Sequence, residues 1–397
     1  MGRVSVAWKG RQMNVVSDTK EREARGLATH ATASSHGPRR RRYPIAGYDG
    51  PVGPRRYAAL DLGTNNCRLL IAEARGSGFR VVDGYSRIVR LGERLARDGV
   101  LSDAAMDRAI DALKVCARKL DMAGVARARL IATEACRAAR NGASFTRRVQ
   151  EETGLDLEVV DRETEARLAV AGCAPLVDDA AEGVLLFDIG GGSSEIVWLD
   201  LTSRYRLEGT ALVRCIRAWT SLPVGVVTLA ERHGGTDVDE NVFAAMVADV
   251  LSLLEKIDRR GTLSEAVARG RVHLLGTSGT VTTLAGVSLG LKRYDRRQVD
   301  GTWLEQQQVD MLIAQLLGMG FEERVANPCI GAERADLVLA GCAILEAIRQ
   351  RWPCERLRVA DRGLREGMLM ELIEGDRLAR SRRRHQRAAE HGAPTHA

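Results

Sequence analysis

Apolar and polar positions along this chain spell one phrase twice: an apolar run, an Asp, a bend of Gly and small polar residues, then a second apolar run. The first copy spans 57–73 (YAALDLGTNNCRLLIAE) and the second 184–200 (VLLFDIGGGSSEIVWLD). Each reads as a strand that stops at an Asp and a Gly, turns through small residues and returns as a second strand. After the first copy the pattern predicts a third strand at 79–88, then a helix over 102–122. Ser102 is its N-cap, and Met106, Ile110, Leu113, Ala117 and Leu120 recur at helical spacing. A strand at 129–133, a helix at 144–153 stopped by Gly154, a strand at 157–160 and a helix at 163–173 complete this half. After the second copy come a third strand at 204–212, a helix at 241–258 and a strand at 272–275. Helices at 304–317 and 334–352, a strand at 358–360 and a helix at 364–373 follow.

A β-β-β-α-β-α order written twice predicts an α/β fold of duplicated actin-like ATPase (ribonuclease H-like) domains, with mixed sheets and an inter-lobe cleft. At 397 residues the chain exceeds the roughly 250 to 300 that one core usually serves. The expected division is a disordered basic extension over 1–55, an N-terminal lobe over 56–180, a C-terminal lobe over 181–375 and a disordered basic tail over 376–397. No apolar stretch approaches the roughly 18 residues of a membrane span. Residues 1–20 lack the apolar core of a secretory signal, so the expected location is cytoplasmic.

The formal charge of +7 is confined to the ends. Residues 1–56 carry +8 and 376–397 carry +4, which leaves 57–375 at −5. Runs such as Arg39 to Arg42 and Arg382 to Arg384 read as solvated segments, and nucleic acid is not an expected partner. Eight scattered cysteines form no Cys-x-x-Cys pair and read as reduced core thiols. Between the two ends the only histidines are His233 and His273, which argues against a His-dependent triad or a His-rich metal site.

Chemistry therefore falls to carboxylates, arginines and backbone amides. Asp61 and Asp188 each end a strand, where a carboxylate can hold a hard cation. One isolated Asp-x-Gly would as readily cap its own turn; the second copy is what favours a site. Gly63, Thr64 and Asn65 in one bend, and Gly190, Gly191, Gly192, Ser193 and Ser194 in the other, let backbone N–H groups approach an oxyanion. Glu195 follows the second bend and either holds a metal-bound water or caps the turn. Gly276, Thr277, Ser278 and Gly279 form a strand-to-helix crossing of the kind that favours phosphate. Arg68 and Arg137 follow strand ends and suit forked donation to phosphate oxygens, although a surface ion pair fits either equally well. Glu163 and Glu165 lie two apart at a helix start and point to different faces. Residue type alone does not choose between them.

In order along 57–373, the phrases DLGTNNCRLLIA, ATEACRAARN, ETEAR, DIGGGSSEI, LLGTSGTVTTLA, GAERADLVLAGCAIL and DRGLREGML resemble those of the Ppx/GppA family. This is the family of exopolyphosphatases and guanosine pentaphosphate phosphohydrolases. The resemblance implies that Glu165 is the catalytic base. It places Asp188 and Glu195 near the metal and the attacking water, and Asn65, Arg68 and Arg137 on the phosphate side. It also implies Mg²⁺, or Mn²⁺, as cofactor, with Asp61 and Asp188 as metal residues. The implied partner is inorganic polyphosphate or guanosine pentaphosphate, with no membrane and with a homodimer as candidate assembly. Where many relatives carry Ser-Ala or Asn-Thr, this chain has Glu134-Ala135. With only a basic tail expected after 373, the resemblance implies the two-domain short form. Two rival readings of the same loops are a non-hydrolytic nucleotide or polyphosphate sensor and an actin-fold ATP-dependent small-molecule kinase.

Overall fold

The computed structural model describes residues 55–391, apart from 77, 203–206, 208 and 256–261. The expected basic extension lies almost wholly outside the described residues. Strands β1 (Arg56–Leu62), β2 (Asn66–Arg75), β3 (Gly78–Ile88), β4 (Arg127–Ala132) and β5 (Glu158–Val159) form a first sheet in the order β3-β2-β1-β4-β5. Strands β6 (Gly183–Ile189), β7 (Ser194–Asp200), β8 (Ile216–Leu222), β9 (Val272–Thr277), β10 (Trp303–Glu305) and β11 (Arg356–Ala360) form a second, ordered β10-β11-β9-β6-β7-β8. Position for position the second repeats the first, with β10 added at one edge. In each sheet the leading strand pairs antiparallel with the next and parallel with the fourth.

Both faces of each sheet are covered, which is why the leading strands are apolar at almost every position. Ala58, Leu60 and Leu62 face helix Asp103–Met122, in one cluster with Ile110 and Leu113, while Tyr57 and Ala59 on the opposite face join Met368, Leu369 and Ile373 of the last helix. In the second sheet Leu185 and Phe187 join the larger core, and Val184 and Leu186 face Ala166, Ala169 and Val170 of helix Arg162–Cys173. That helix also gives Leu168 to the first sheet's cluster, so it lies between the two sheets. It meets helix Leu364–His391 almost backbone to backbone. A Cβ on Gly172 would stand 2.0 Å from the carbonyl oxygen of Gly363, and one on Gly367 would stand 2.2 Å from that of Leu168.

Several elements differ from the sequence expectation. The third strand of the second repeat is β8 at Ile216–Leu222 rather than 204–212; part of the expected range lies outside the described residues, and Gly209–Cys215 is a 3-10 helix. Only the end of β8 is buried, so its sequence carries little of the alternation that marks a strand. The helix expected from 304 begins at Gln306 behind β10, and that expected from 334 begins at Val338. The last helix runs to His391, not 373, and takes in most of the basic segment expected to be disordered. Asp376 fastens it, accepting hydrogen bonds from Tyr57 and Arg127. Ser102 caps its helix as the pattern predicts, its hydroxyl accepting the N–H of Ala105. All eight cysteines are buried free thiols.

Candidate active site

The two Asp-to-Gly bends close identically, Gly63 N–H donating to Asn66 O at 2.9 Å and Gly190 N–H to Ser193 O at 3.0 Å. They press against each other. A Cβ on Gly191 would lie 3.0 Å from Thr64 Cβ, and one on Gly192 would lie 2.9 Å from Thr64 Oγ1. Glycine is needed at these positions for close approach rather than for turning. The N–H groups of Thr64, Asn65, Gly191 and Gly192 have no acceptor among the described residues. The second bend's carbonyls are occupied: those of Gly190 and Gly191 accept the N–H groups of Val226 and Val227, which open helix Val226–His233.

Beside the bends lies a cavity of about 760 Å³. Of the residues singled out from the sequence, Asp61, Gly63, Thr64, Asn65, Arg68, Glu165, Asp188, Gly190, Gly191, Gly192, Ser193, Glu195, Thr277, Ser278 and Gly279 line it. Arg137, Ser194 and Gly276 do not. The Ser194 hydroxyl donates to Val224 O, and Gly276 packs against Phe187 and Val281 in the core. Arg137 instead donates to Glu165 at 3.1 Å, to Glu134 and to Val160 O.

Strand pairing gives the two repeats different chemistry at one position. Asp61 stands opposite Arg68, whereas Asp188 stands opposite Glu195. The Arg therefore faces a carboxylate in one sheet, and two carboxylates oppose in the other. Glu195 is held by the hydroxyls of Ser193 and Ser221, which donate to its Oε1 at 2.9 and 2.8 Å. Burial and the Glu195 and Asp61 carboxylates push Asp188 up to about 7. Burial, Glu195 and Asp61 push Glu165 up to about 8 against the opposing pull of Arg137. Burial also raises Asp61 and Glu195. A carboxyl whose folded pKa is raised contributes stability below its unfolded pKa and loses it as pH rises through the folded value. The metal-free protein is accordingly expected to melt at a lower temperature at pH 8.5 than at pH 5.5, measured by calorimetry in chelator.

Ser278 precedes helix Gly279–Ser288 with φ 82° and ψ −169°, a conformation otherwise left to glycine, and its hydroxyl donates to Ile189 O at the end of β6. Such backbone costs about 1–3 kcal/mol and marks a position fixed by its surroundings. The cavity also gathers residues to which the sequence assigned no role: Glu134, Tyr294, Arg296, Arg334, Asp361, Arg362, Arg365 and Glu366. The phrases GAERAD and DRGLREG carry five of them, and were the signal available. Tyr294 donates to Asp361 at 2.7 Å and Arg296 to Glu366 at 2.6 Å. Arg68, Arg334 and Arg365 line the cavity without a side-chain hydrogen bond or ion pair among the described residues. Unpaired guanidinium groups converging on one hollow are suited to an anion.

The donor set also fits a hard divalent cation. Asp61 and Asp188 offer only oxygen, and the buried Asn65 Oδ1 has no partner. No group of three or more His, Cys, Asp or Glu poised to hold a metal occurs among the described residues. Magnesium suits such a site, since it keeps several waters and takes one or two carboxylates along with substrate phosphate. No helix among the described residues is long and apolar enough to cross a membrane.

Paired sheets of matching order, glycine bends meeting at their ends and an anion-suited hollow beside them define a protein of the duplicated actin-like ATPase fold. The chain belongs to the Ppx/GppA phosphatase family, whose family model matches residues 70–375. It is 28% identical over 319 residues to the guanosine-5'-triphosphate,3'-diphosphate pyrophosphatase of Aeromonas salmonicida (strain A449), a match covering 80% of this chain and 59% of that protein. The chain thus spans 59% of the length of that curated relative. The crystal structure of the Aquifex aeolicus Ppx/GppA family member superposes with a TM-score of 0.66 at 28% identity, covering 82% of this chain and 99% of that one. An exopolyphosphatase from Cytophaga hutchinsonii ATCC 33406 gives 0.71 at 25% identity over 81% and 98% of the two chains.

Proposed function

We propose that this cavity hydrolyses terminal phosphoanhydride bonds, releasing orthophosphate from inorganic polyphosphate, converting guanosine pentaphosphate to the tetraphosphate, or both. One observation carries the reading: Glu165, 4% exposed, sits at the wall of a cavity that presents unpaired backbone N–H groups and unpaired guanidiniums. The carboxylate accepts a proton from water as the water oxygen attacks the terminal phosphorus. The bridging P–O bond breaks, and the chain leaves one phosphate shorter. Thr64, Asn65, Gly191 and Gly192 offer N–H donors to the phosphoryl oxygens, and Arg68 offers its guanidinium. Glu195, oriented by Ser193 and Ser221, fixes the attacking water by hydrogen bonding. Asp61 and Asp188 would hold Mg²⁺ or Mn²⁺, which when bound offsets the charge of the phosphates. The low-pH form of Glu165 cannot act as a base, so proton acceptance strengthens toward alkaline pH.

The relatives' names support a phosphohydrolase on this scaffold, and they divide between the two substrates. The test is orthophosphate release from tripolyphosphate, long-chain polyphosphate and guanosine pentaphosphate, each with Mg²⁺, with Mn²⁺ and with chelator. Release without an organic acceptor is expected, and chelator should abolish it. No release from any of the three with either ion would end the proposal.

A further inference from the structure

Glu134 stands at the start of helix Glu134–Ala138, directly after β4, with its side chain in the cavity wall. Its carboxylate accepts from Arg137 and also from Arg162, at 3.0 Å. Across the cleft its Cγ would lie 3.3 Å from a Cβ on Gly192, so it rests against the second bend. The Arg137 fork is spent on protein. One terminal nitrogen is shared between Glu134 and Glu165, the other donates to Val160 O at 2.6 Å, and Nε is buried without a partner. Neither Arg137 nor Arg162 lines the hollow; the two guanidiniums stand behind Glu134, which does, and already hold an anion supplied by the chain.

We propose that Glu134 is a specificity-determining residue, an internal carboxylate that occupies the anion position of Arg137 and Arg162 and is displaced by a phosphate group of the substrate. This rests on the phosphohydrolase reading and deepens it. A carboxylate carries one negative charge and a terminal phosphate up to two, so a polyanion anchored elsewhere in the cavity outcompetes Glu134. Free orthophosphate has no such anchorage and competes poorly. Glu134 then weakens retention of the product more than binding of the substrate.

Glu134→Gln keeps the shape and removes the charge. Calorimetric titration in chelator, where no turnover is needed, is expected to show orthophosphate binding about tenfold tighter than to the unsubstituted protein. Glu134→Asp, which keeps the charge, should stay within about twofold. In turnover assays the orthophosphate inhibition constant should fall with the binding constant. Equal or weaker orthophosphate binding by Glu134→Gln, with a lower melting temperature and reduced kcat, would show a strut and overturn the proposal. If Glu134→Gln does not fold, Glu134→Ala serves, since it removes the charge and alanine is the strongest helix former. Tighter binding by the variant of a protein that releases no phosphate from any substrate would uphold this inference while ending the hydrolase reading.

Discussion

Glu165→Gln is expected to lower orthophosphate release about 10²- to 10⁴-fold, the usual contribution of a positioned general base. Glutamine fills the same volume and can still accept the hydrogen bond from Arg137, so the loss isolates proton acceptance from packing. Two further readouts separate this from misfolding. The rise of kcat with pH that reflects ionisation of Glu165 should disappear. The variant should also be no less stable than its parent at pH 8.5, because burial and the neighbouring Glu195 raise the parent carboxyl to about 8 and its ionisation there opposes folding. A rate unchanged by the substitution would remove Glu165 from the chemistry.

Gly367→Ala is the largest expected effect on stability. Helix propensity alone favours alanine by about 1 kcal/mol, so an uncrowded glycine would gain from the change. Here the new methyl would meet the Leu168 carbonyl oxygen at 2.2 Å, and a backbone atom cannot step aside as a side-chain tip can. Overpacking of this kind costs about 3 kcal/mol or more, leaving a net loss of about 2 kcal/mol in urea unfolding. Gly172→Ala meets the Gly363 carbonyl at 2.0 Å from the opposite side and should behave alike. Both should also slow turnover, since helix Arg162–Cys173 carries Glu165. A gain in stability from either would mean that the two helices do not cross as described.

What the sequence made legible follows from where burial leaves a periodic trace. The paired Asp-to-Gly bends and their flanking strands are buried along their length, and the chain repeats them, so their position is readable. Strand β8 is largely exposed and carries no alternation that would place it; helix Val226–His233 follows Leu-Pro-Val-Gly, a text that resembles a loop. The last helix outran its predicted end because apolar spacing fades where contact with the first sheet stops, while Ala and Arg continue the helix without it. In the site, Asp61, Asp188 and Glu165 could be found in single phrases. Pairing of Arg137 with Glu165, and the gathering of Arg334 and Arg365 beside Arg68, depend on segments far apart in the chain and leave no local mark.

The return of the final helix to the first sheet bears on synthesis at the ribosome. Tyr57, Ala59, Leu70 and Ala72 are made early, yet their cover of Met368, Leu369 and Ile373 emerges some three hundred residues later. At roughly 5–20 residues per second, that apolar face waits about 15 to 60 seconds for its partner, long enough for chaperones to engage it. The sheet translated first is thus the last to be sealed.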